Sequence, residues 1–448
     1  MSVAEREAKT EIPDREALRL HPFYHGKLQV LPKCAIRDCR DFAIWYTPGV
    51  AEPCREISKS PEKVFEYTNK ANFVAVVSDG TRILGLGDIG PEAGLPAMEG
   101  KAILFKYLGG VDAFPIMLGT KDPDKIIQTV EWLQPTFGGV NLEDISQPKC
   151  FYILDTLRQE AHIPVWHDDQ QGTAAVILAG LTNALRVVGK RLEEVRIAQL
   201  GIGAAGTAVV RVLIEAGVPP THIRVVDLVE GKPAVLTPDM DLEGLFPHRG
   251  GMLAQTNGDD IQGGPPEAFK GADVMISFTR PGPGTVRPEW IRLMNEEAVV
   301  FAMANPVPEI WPWEAQEAGA RIVATGRSDF PNQVNNSLGF PGIFRGVLDV
   351  RARTITDEMC IAAAHELAQC AVDRGLREDY IIPTMGEWEV YPRVAVAVGM
   401  KAIEQGVAQT ILSHEALFER ASSIIKHSRE EMRISLESGL IPAPPPAP

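Results

Sequence analysis

The stretch that decides the fold is VRIAQLGIGAAGTAVVRVLIEAGV, residues 195–218. It predicts a buried strand, a glycine-rich loop, GIGAAG at 201–206, and then an apolar helix. A second apolar run, IRVVDL at 223–228, predicts the next strand and carries Asp227, 21 residues after Gly206. Because the glycine loop stands between two strands, with an acid at the usual distance, the pattern predicts a Rossmann-like dinucleotide-binding domain.

Each part of this glycine loop has a physical task. Gly201 permits the tight turn, Gly203 lets the backbone approach a pyrophosphate, and Gly206 lets the helix pack closely on the strand. Ala204 and Ala205 open the helix, whose N-terminus would face the pyrophosphate. We therefore predict that these five residues bind the cofactor.

Asp227 is the acidic residue that completes the motif. A carboxylate at this position can accept hydrogen bonds from the adenosine ribose hydroxyls, which favours NAD over NADP. An aspartate that only stabilises a turn after a strand is the alternative. The predicted cofactor is NAD, with NADP possible.

Alternating strands and helices continue on both sides of the motif. Upstream, the apolar pattern predicts three strands, one beginning at Asn72 and two over 111–118 and 137–145, and two helices over 98–110 and 122–135. Such alternation is typical of an α/β fold.

Downstream of residue 163 the pattern predicts a short strand, a polar loop and an apolar helix. A second βαβ series then runs from 195 to about 325, interrupted at 239–266 by a segment rich in Gly, Asp and Pro that predicts a loop excursion. Two further segments, 356–379 and 392–408, predict helices.

We therefore predict an α/β fold with two domains. Residues 1–162 would form an N-terminal α/β catalytic domain, and residues 163–385 a Rossmann-like domain built on a parallel sheet. Residues 386–448 would add helices and end in a disordered, Pro-rich tail, IPAPPPAP.

The composition excludes several classes of protein. The chain has 448 residues, of which 45% are hydrophobic and 23% charged, and this excludes a disordered or fibrous chain. The 44 Lys+Arg against 59 Asp+Glu give a net charge of −15, which argues against nucleic-acid or anionic-membrane binding. Six scattered cysteines without a CxxC pair argue against a disulfide scaffold and a structural zinc site. With no apolar leader and no run of roughly 18 apolar residues, we expect a cytoplasmic protein that spans no membrane.

Two pairs of carboxylates follow predicted strands, Glu143–Asp144 in NLEDI and Asp168–Asp169 in WHDDQ. Open α/β sheets build their sites at this end of the strands. Adjacent carboxylates repel each other unless a cation joins them, and oxygen ligands of this kind suit Mg²⁺ or Mn²⁺. Helix N-caps or solvated turns are the alternative for either pair. The two pairs together predict a divalent metal site.

Five further residues are candidates for the chemistry: Tyr46, Arg82, Lys101, Asn305 and Asn336. A lysine beside a carboxylate can be tuned to act as a general base, and a tyrosine can donate a proton. The two asparagines stand in loops after strand-like runs, where they would suit a substrate carboxylate or a nicotinamide. Each residue also has a plain alternative as a loop tyrosine, a turn arginine, a helix-surface lysine or a turn asparagine.

The order of these segments resembles the malic enzyme family, specifically its short bacterial and archaeal members. The matching segments run in the family's order from about residue 20 to 400, and they are YTPGVAEPCREI, VSDGTRILGLGDIGP, MEGKAILFK, NLEDI, HDDQQGTA, GIGAAG, ANPVPEI and GRSDFPNQVNN.

The resemblance implies oxidative decarboxylation of (S)-malate to pyruvate and CO₂, with reduction of NAD(P)⁺ and dependence on Mg²⁺ or Mn²⁺. It implies that Glu143, Asp144 and Asp169 are the metal ligands. It also implies that Lys101, paired with Asp168, removes the proton of the 2-hydroxyl group. Hydride transfer from C2 would give a β-keto acid, and the metal would stabilise the enolate left by the loss of CO₂.

The same resemblance implies roles for the remaining candidates. Tyr46 would protonate the enolate, Arg82 would contact a malate carboxylate or the cofactor, and Asn305 and Asn336 would contact the substrate and the nicotinamide. It further implies a homodimer or higher homo-oligomer, with the helices of 386–448 packed back onto the N-terminal domain.

The sequence departs from the family pattern at three places. Gln171 stands where short members commonly carry His, Arg82 is closer to the long eukaryotic members, and the segment 239–266 is unlike the usual short sequence. These departures leave open a related 2-hydroxy dicarboxylate as the substrate. A catalytically silent NAD-binding protein is the other alternative, and the intact Tyr46, Lys101 and carboxylate pairs argue against it.

The acidic balance also bears on the substrate. A bound divalent cation, with Arg82 and Lys101 nearby, would make the pocket locally neutral or positive, which suits a malate dianion. We therefore expect malate to bind poorly without metal, while the acidity elsewhere serves solubility.

Overall fold

The computed structural model describes residues 12–446. The start of the chain, where we expect no secretory leader, and the last two residues of the Pro-rich tail lie outside this range.

Helices and strands alternate through most of the chain. The helices are α1 Ile12–Tyr24, α2 Phe42–Trp45, α3 Ala51–Lys59, α4 Val64–Tyr67, α5 Pro91–Gly109, α6 Pro123–Leu133, α7 Lys149–Glu160, α8 Thr173–Val188, α9 Ala204–Glu215, α10 Leu242–Leu245, α11 Gly250–Leu253, α12 Pro265–Phe269, α13 Pro288–Ile291, α14 Pro312–Glu317, α15 Phe340–Asp349, α16 Asp357–Asp373, α17 Val390–Glu404 and α18 His414–Glu437. The strands are β1 Phe73–Ser78, β2 Asp112–Met117, β3 Gly139–Leu142, β4 Val165–His167, β5 Ile197–Leu200, β6 Ile223–Val229, β7 Lys232–Val235, β8 Val274–Ser277, β9 Ala298–Ala302 and β10 Ala320–Thr325.

The first sheet has four parallel strands in the order β2-β1-β3-β4. The inner strands β1 and β3 are almost wholly buried, as expected for apolar strands covered by helices on both faces of a parallel sheet. Strands β3 and β4 lie side by side with Leu142 opposite His167, so the residues that follow these two strands emerge next to each other. This register brings the two predicted carboxylate pairs, Glu143–Asp144 and Asp168–Asp169, to the same edge of the sheet.

The second sheet has six strands in the order β10-β9-β8-β5-β6-β7, and all but β7 run parallel. The Rossmann-like sheet predicted from the glycine loop is therefore present. Strand β7 is an antiparallel edge strand that the sequence reading missed, because the turn at Glu230–Gly231 was not recognised. Both turn residues have positive φ angles, 50° and 78°, which is typical of a tight hairpin. Strand β6, predicted over 223–228, therefore continues to Val229 and enters the hairpin.

One large apolar core contains side chains of both sheets, with α8 running through it, and each sheet also has a smaller apolar core of its own. Within residues 12–446, one helical segment, Asp168–Val188, is long and apolar enough by composition to cross a membrane. In the structure 72% of its most apolar stretch is buried inside the molecule. A core helix of a globular protein is buried in the same way.

The last helix, α18, packs against α5. Ser428 Oγ donates to the Lys106 carbonyl oxygen at 2.8 Å, and Ile425 lies with Leu108 in a small apolar cluster. The described part of the Pro-rich tail lies against α1, where the Tyr24 hydroxyl donates to the Pro442 carbonyl at 2.9 Å.

The predicted loop excursion at 239–266 is irregular except for the short helices α10 and α11 and the start of α12. It carries a buried arginine, Arg249, to the boundary between the two sheets. Its polar composition gave no sign of this inward-facing residue.

Candidate active site

The two carboxylate pairs meet at the end of the first sheet. Glu143 and Asp144 follow β3, Asp168 and Asp169 follow β4, and we call these four residues the carboxylate cluster. Glu143, Asp144 and Asp169 each offer a carboxylate oxygen within 4.8 Å of the other two. The convergence follows from the parallel pairing of the two short strands that precede them.

Lys101 reaches this cluster from α5. Its Nζ lies 3.0 Å from Glu143 Oε1 and 2.5 Å from Asp168 Oδ2, and the side chain is almost fully buried. The ammonium group also stands over the Phe340 ring, 4.3 Å from the centroid. The structure therefore brings Lys101, Asp168 and Glu143 together in one buried group.

The charges of this group perturb one another strongly. Burial alone would lower the pKa of Lys101, but Asp168 and Glu143 raise it above its ordinary value. Burial raises the pKa of Glu143 well above its ordinary range; Lys101 opposes this shift and the other carboxylates add to it. For Asp144, burial and then the charge of Asp169 raise the pKa. The cluster thus carries more negative charge than its surroundings neutralise.

Neighbouring side chains fix the orientation of the buried carboxylates. Asn141 Nδ2 donates to Glu143 Oε2 at 2.7 Å, and Trp166 Nε1 donates to Asp168 Oδ1 at 3.1 Å. Sequence reasoning missed both supports, together with Phe340. The signal for the first two was their position, two residues before a predicted site carboxylate.

The backbone around Asp144 is also held in place. Asp144 has a φ of 52°, a conformation that non-glycine residues rarely adopt and that clusters at functional sites. Its N–H donates to Asp169 Oδ2 at 2.8 Å, and its carbonyl accepts from the Arg82 N–H at 3.0 Å. The segment after β1 and the segment after β4 therefore both anchor this residue.

The donor set fits a hard divalent cation. It consists of carboxylate oxygens alone, as Mg²⁺ and Mn²⁺ prefer. The pKa values of Glu143 and Asp144 are raised by burial first and by the neighbouring carboxylates second, and a divalent cation would favour the charged forms of both groups. Glu143, Asp144 and Asp169 are the residues that could hold it.

Asp168 and Asp169 begin a single π-helical turn, Asp168–Gly172, where the sequence predicts an irregular loop. A side chain on Gly172 would overlap the Asp168 carboxylate and would lie against Asn336. The structure thus places Asn336 beside this turn. Turns of this kind are frequent at functional sites.

Arg82 and Asn305 lie at the edge of the site. The Arg82 side chain is exposed. Its charge is close enough to oppose part of the rise in the pKa of Asp144. Asn305 follows β9, and its carbonyl oxygen lies so close to Gly85 that a side chain on Gly85 would overlap it. The segment that carries Arg82 therefore touches the loop that carries Asn305.

Tyr46 is not brought to the carboxylate cluster within this chain. Its side chain is 69% exposed, and within residues 12–446 its hydroxyl has no hydrogen bond to Lys101 or to a carboxylate. It lies in a segment, residues 30–50, that we call the N-terminal arm. The large apolar side chains of the arm are exposed, namely Val30, Leu31, Ile36, Phe42, Ile44, Trp45 and Val50.

The glycine loop follows β5 and leads into α9. Gly201 has a φ of 88°, which suits glycine, whereas the space beside Gly203 is open. A side chain on Gly206 would overlap the Gly201 carbonyl, so the helix can pack this closely only with glycine there. Asp227 faces the loop and accepts from the Ile202 N–H at 2.6 Å. Ala204 and Ala205 form the first turn of α9.

The fold and the site together define an enzyme with two α/β units, one that binds a dinucleotide and one that carries a buried lysine beside a metal-competent carboxylate cluster. The family model "Malic enzyme, N-terminal domain" matches residues 25–158, and "Malic enzyme, NAD binding domain" matches residues 170–221 and 273–403. The chain belongs to the malic enzyme family.

Individual relatives agree along almost the whole chain. It is 48% identical over 413 residues to the bifunctional malic/malolactic enzyme of Bacillus subtilis, covering 91% of this chain and 98% of that protein. The crystal structure of malic enzyme from Pyrococcus horikoshii matches at 57% identity with a TM-score of 0.88, covering 94% of this chain and 100% of that chain. Entamoeba histolytica malic enzyme matches at 46% identity with a TM-score of 0.96, covering 100% and 93%. Both NAD-dependent and NADP-dependent malic enzymes are among the relatives.

Proposed function

We propose that the chain oxidises and decarboxylates (S)-malate to pyruvate and CO₂ with reduction of NAD(P)⁺, the reaction of its family. The observation that carries the proposal is Lys101, buried between Asp168 and Glu143 at the edge of a carboxylate cluster that suits a divalent cation. A solvated turn or a set of helix caps has no need for a buried lysine among carboxylates.

Glu143, Asp144 and Asp169 would hold a Mg²⁺ or Mn²⁺ ion, which would supply stabilisation of developing enolate charge, and the glycine loop would hold the NAD(P) that takes up the hydride. Asp227, which faces that loop, would hydrogen-bond the adenosine ribose and favour NAD.

Lys101 and Asp168 handle the first proton in this proposal. The 2.5 Å contact between Lys101 Nζ and Asp168 Oδ2 gives the lysine a carboxylate to which it can pass a proton. Asp168 and Glu143 raise the pKa of Lys101 and favour its charged form, so this transfer has to come first, and the pKa of Asp168, which burial raises, favours it. Neutral Lys101 then accepts the proton of the C2 hydroxyl as the hydride leaves C2, which yields the β-keto acid. Trp166 and Phe340 keep this pair oriented and shielded from water.

Tyr46 handles the second proton. When the C3–C4 bond breaks, its electrons move into the enolate and CO₂ leaves; the Tyr46 hydroxyl then donates a proton to C3, which gives pyruvate. Arg82 is proposed to contact a substrate carboxylate, and Asn305 and Asn336 to contact the substrate and the nicotinamide.

The exposed arm supports a homo-oligomer as part of the proposal. Soluble monomers rarely expose large apolar patches, yet the large apolar side chains of residues 30–50 face solvent, and those of Val30 and Leu31 are 85% and 67% exposed. Because Tyr46 lies in this patch and away from its own cluster, we propose that a second copy of the chain covers the arm. Tyr46 would then complete the cluster of that second copy.

The reaction is tested by steady-state assays of the purified chain with malate, Mn²⁺ and either NAD⁺ or NADP⁺. We expect pyruvate and reduced nicotinamide in equal amounts, loss of the rate on chelation of the metal, and a preference for NAD⁺. A panel of other 2-hydroxy dicarboxylates tests the substrate. No reduced nicotinamide with malate and Mn²⁺ would contradict the proposal, and a faster rate with another acid would replace malate as the substrate.

A further inference from the structure

Arg249 lies in the part of the chain that the family models do not match, residues 222–272. It belongs to the irregular segment between β7 and α12, yet its side chain is only 6% exposed. A buried guanidinium is expensive unless its donors are used. The contacts of Arg249 show how they are used.

One nitrogen of Arg249 joins the two halves of the site. Its Nη1 donates to the Ile202 carbonyl oxygen and, at 2.6 Å, to Gln147 Oε1. Ile202 is the second residue of the glycine loop, and Gln147 stands three residues after Asp144. The arginine therefore links the loop proposed to hold the cofactor to the loop proposed to hold the metal.

Aromatic rings hold the guanidinium in this position. Its central carbon stands 5.0 Å from the centroid of Phe151, on α7, and 5.4 Å from that of Phe246, in its own segment. Among the residues that the structure describes, its buried Nε has no hydrogen-bond partner, so an apolar side chain of similar size would fill the space at lower cost. Packing alone does not account for an arginine here.

Both peptide groups that flank the Cα of Ile202 are hydrogen-bonded. The Ile202 N–H donates to Asp227 Oδ2 at 2.6 Å, while the Ile202 carbonyl accepts from Arg249. The carbonyl that accepts from Arg249 belongs to the peptide between Ile202 and Gly203, and its orientation sets the path of the glycine loop at Gly203. A movement of the loop that carries Gln147 can therefore be transmitted to the glycine loop through Arg249.

We propose that Arg249 is a positioning residue that couples binding of the dinucleotide to binding of the divalent cation. The inference rests on the proposed function, because it uses the two ligands of that reaction. When either ligand orders its own loop, Arg249 orders the other loop as well, so the second ligand binds to a site that is already arranged.

The test measures binding rather than turnover. NADH is titrated by fluorescence into the full chain with and without Mn²⁺, and Mn²⁺ is titrated by calorimetry with and without NADH. In the wild type we expect each ligand to tighten the other by the same factor, about fivefold or more. In Arg249→Met we expect this factor to fall to about one, while each ligand still binds alone.

Arg224→Met is the matched control. Arg224 is a buried arginine on β6 that donates to the carbonyl oxygens of Ala268 and Lys270 and to Asp259 Oδ2, and within residues 12–446 it has no hydrogen bond to either loop. It should keep the wild-type coupling factor even if it lowers the unfolding temperature. Should Arg249→Met fail to fold, Gln147→Met removes the same link at an exposed residue and should also reduce the factor.

An unchanged coupling factor in folded Arg249→Met, or in Gln147→Met if it stands in for it, would overturn the inference. Wild-type chain that binds both ligands independently would also overturn it and would leave the proposed reaction intact. Wild-type chain that binds neither ligand would overturn both.

Discussion

Two groups are proposed to move protons: Lys101, which contacts the carboxylate cluster, and Tyr46, which lies in the N-terminal arm. Their surroundings in the structure are opposite. Lys101 is buried, paired with two carboxylates and covered by an aromatic ring. Tyr46 is 69% exposed among apolar side chains that also face solvent. A single chain therefore surrounds Lys101 with its partners, whereas it leaves Tyr46 exposed on the surface. The difference is the ground for the proposal that a second copy completes the site.

The largest effect is expected from Lys101→Ala. Loss of a positioned base should lower kcat by about 100- to 10,000-fold, because no other lysine contacts the carboxylate cluster within residues 12–446. NADH binding, measured by fluorescence, should stay close to that of wild type. Lys125→Ala, an exposed lysine on α6, is the control. A kcat for Lys101→Ala within a few fold of wild type would refute its role.

Asp169→Asn is expected to act on the cation. Removing one of three carboxylate donors should weaken Mn²⁺ binding, measured by calorimetry, by at least about tenfold. Without metal the variant should unfold no more easily than wild type, because one repelling charge has been removed from the cluster. Asp155→Asn, on the exposed face of α7, should change neither property. Unaltered Mn²⁺ affinity in Asp169→Asn would exclude this residue as a ligand.

Glu309→Gln separates burial from function. This buried carboxylate accepts from Ser277 Oγ at 2.7 Å and from the N–H groups of Thr279 and Ala304 at 3.0 Å. The NH₂ group of a glutamine would face these donors where a carboxylate oxygen now accepts from them. The free energy of unfolding in urea should therefore fall by about 1–3 kcal/mol. Mn²⁺ affinity should be retained, unlike in Asp169→Asn. The exposed Glu317→Gln is the control, and equal stability of the two variants would contradict the argument.

The comparison also shows how far the sequence alone could reach. The glycine loop was predictable because Gly201 and Gly206 meet local backbone requirements, and the carboxylate pairs because they follow apolar strands. That the pairs lie side by side depends on the order β3-β4, which is a property of the sheet.

Other features depend on distant parts of the chain. The sequence around Lys101 does not distinguish it from a helix-surface lysine, because its contact with Asp168 depends on how α5 packs. The burial of Arg249 is likewise not predictable from the polar segment that contains it. The exposure of Tyr46 was equally invisible, since a local pattern does not say whether a loop is covered by its own chain. These features are set by tertiary packing, which local sequence does not encode.

The most direct test of a site shared between two copies is to mix two inactive variants. Tyr46→Phe and Lys101→Ala chains are unfolded together, refolded and assayed with malate, NAD⁺ and Mn²⁺, beside each variant refolded alone. If Tyr46 serves the second copy, each mixed dimer contains one intact site, and roughly a quarter of the wild-type activity should return. If the mixture shows no more activity than the separate variants, although mixed dimers have formed, Tyr46 acts within its own chain and the account is wrong.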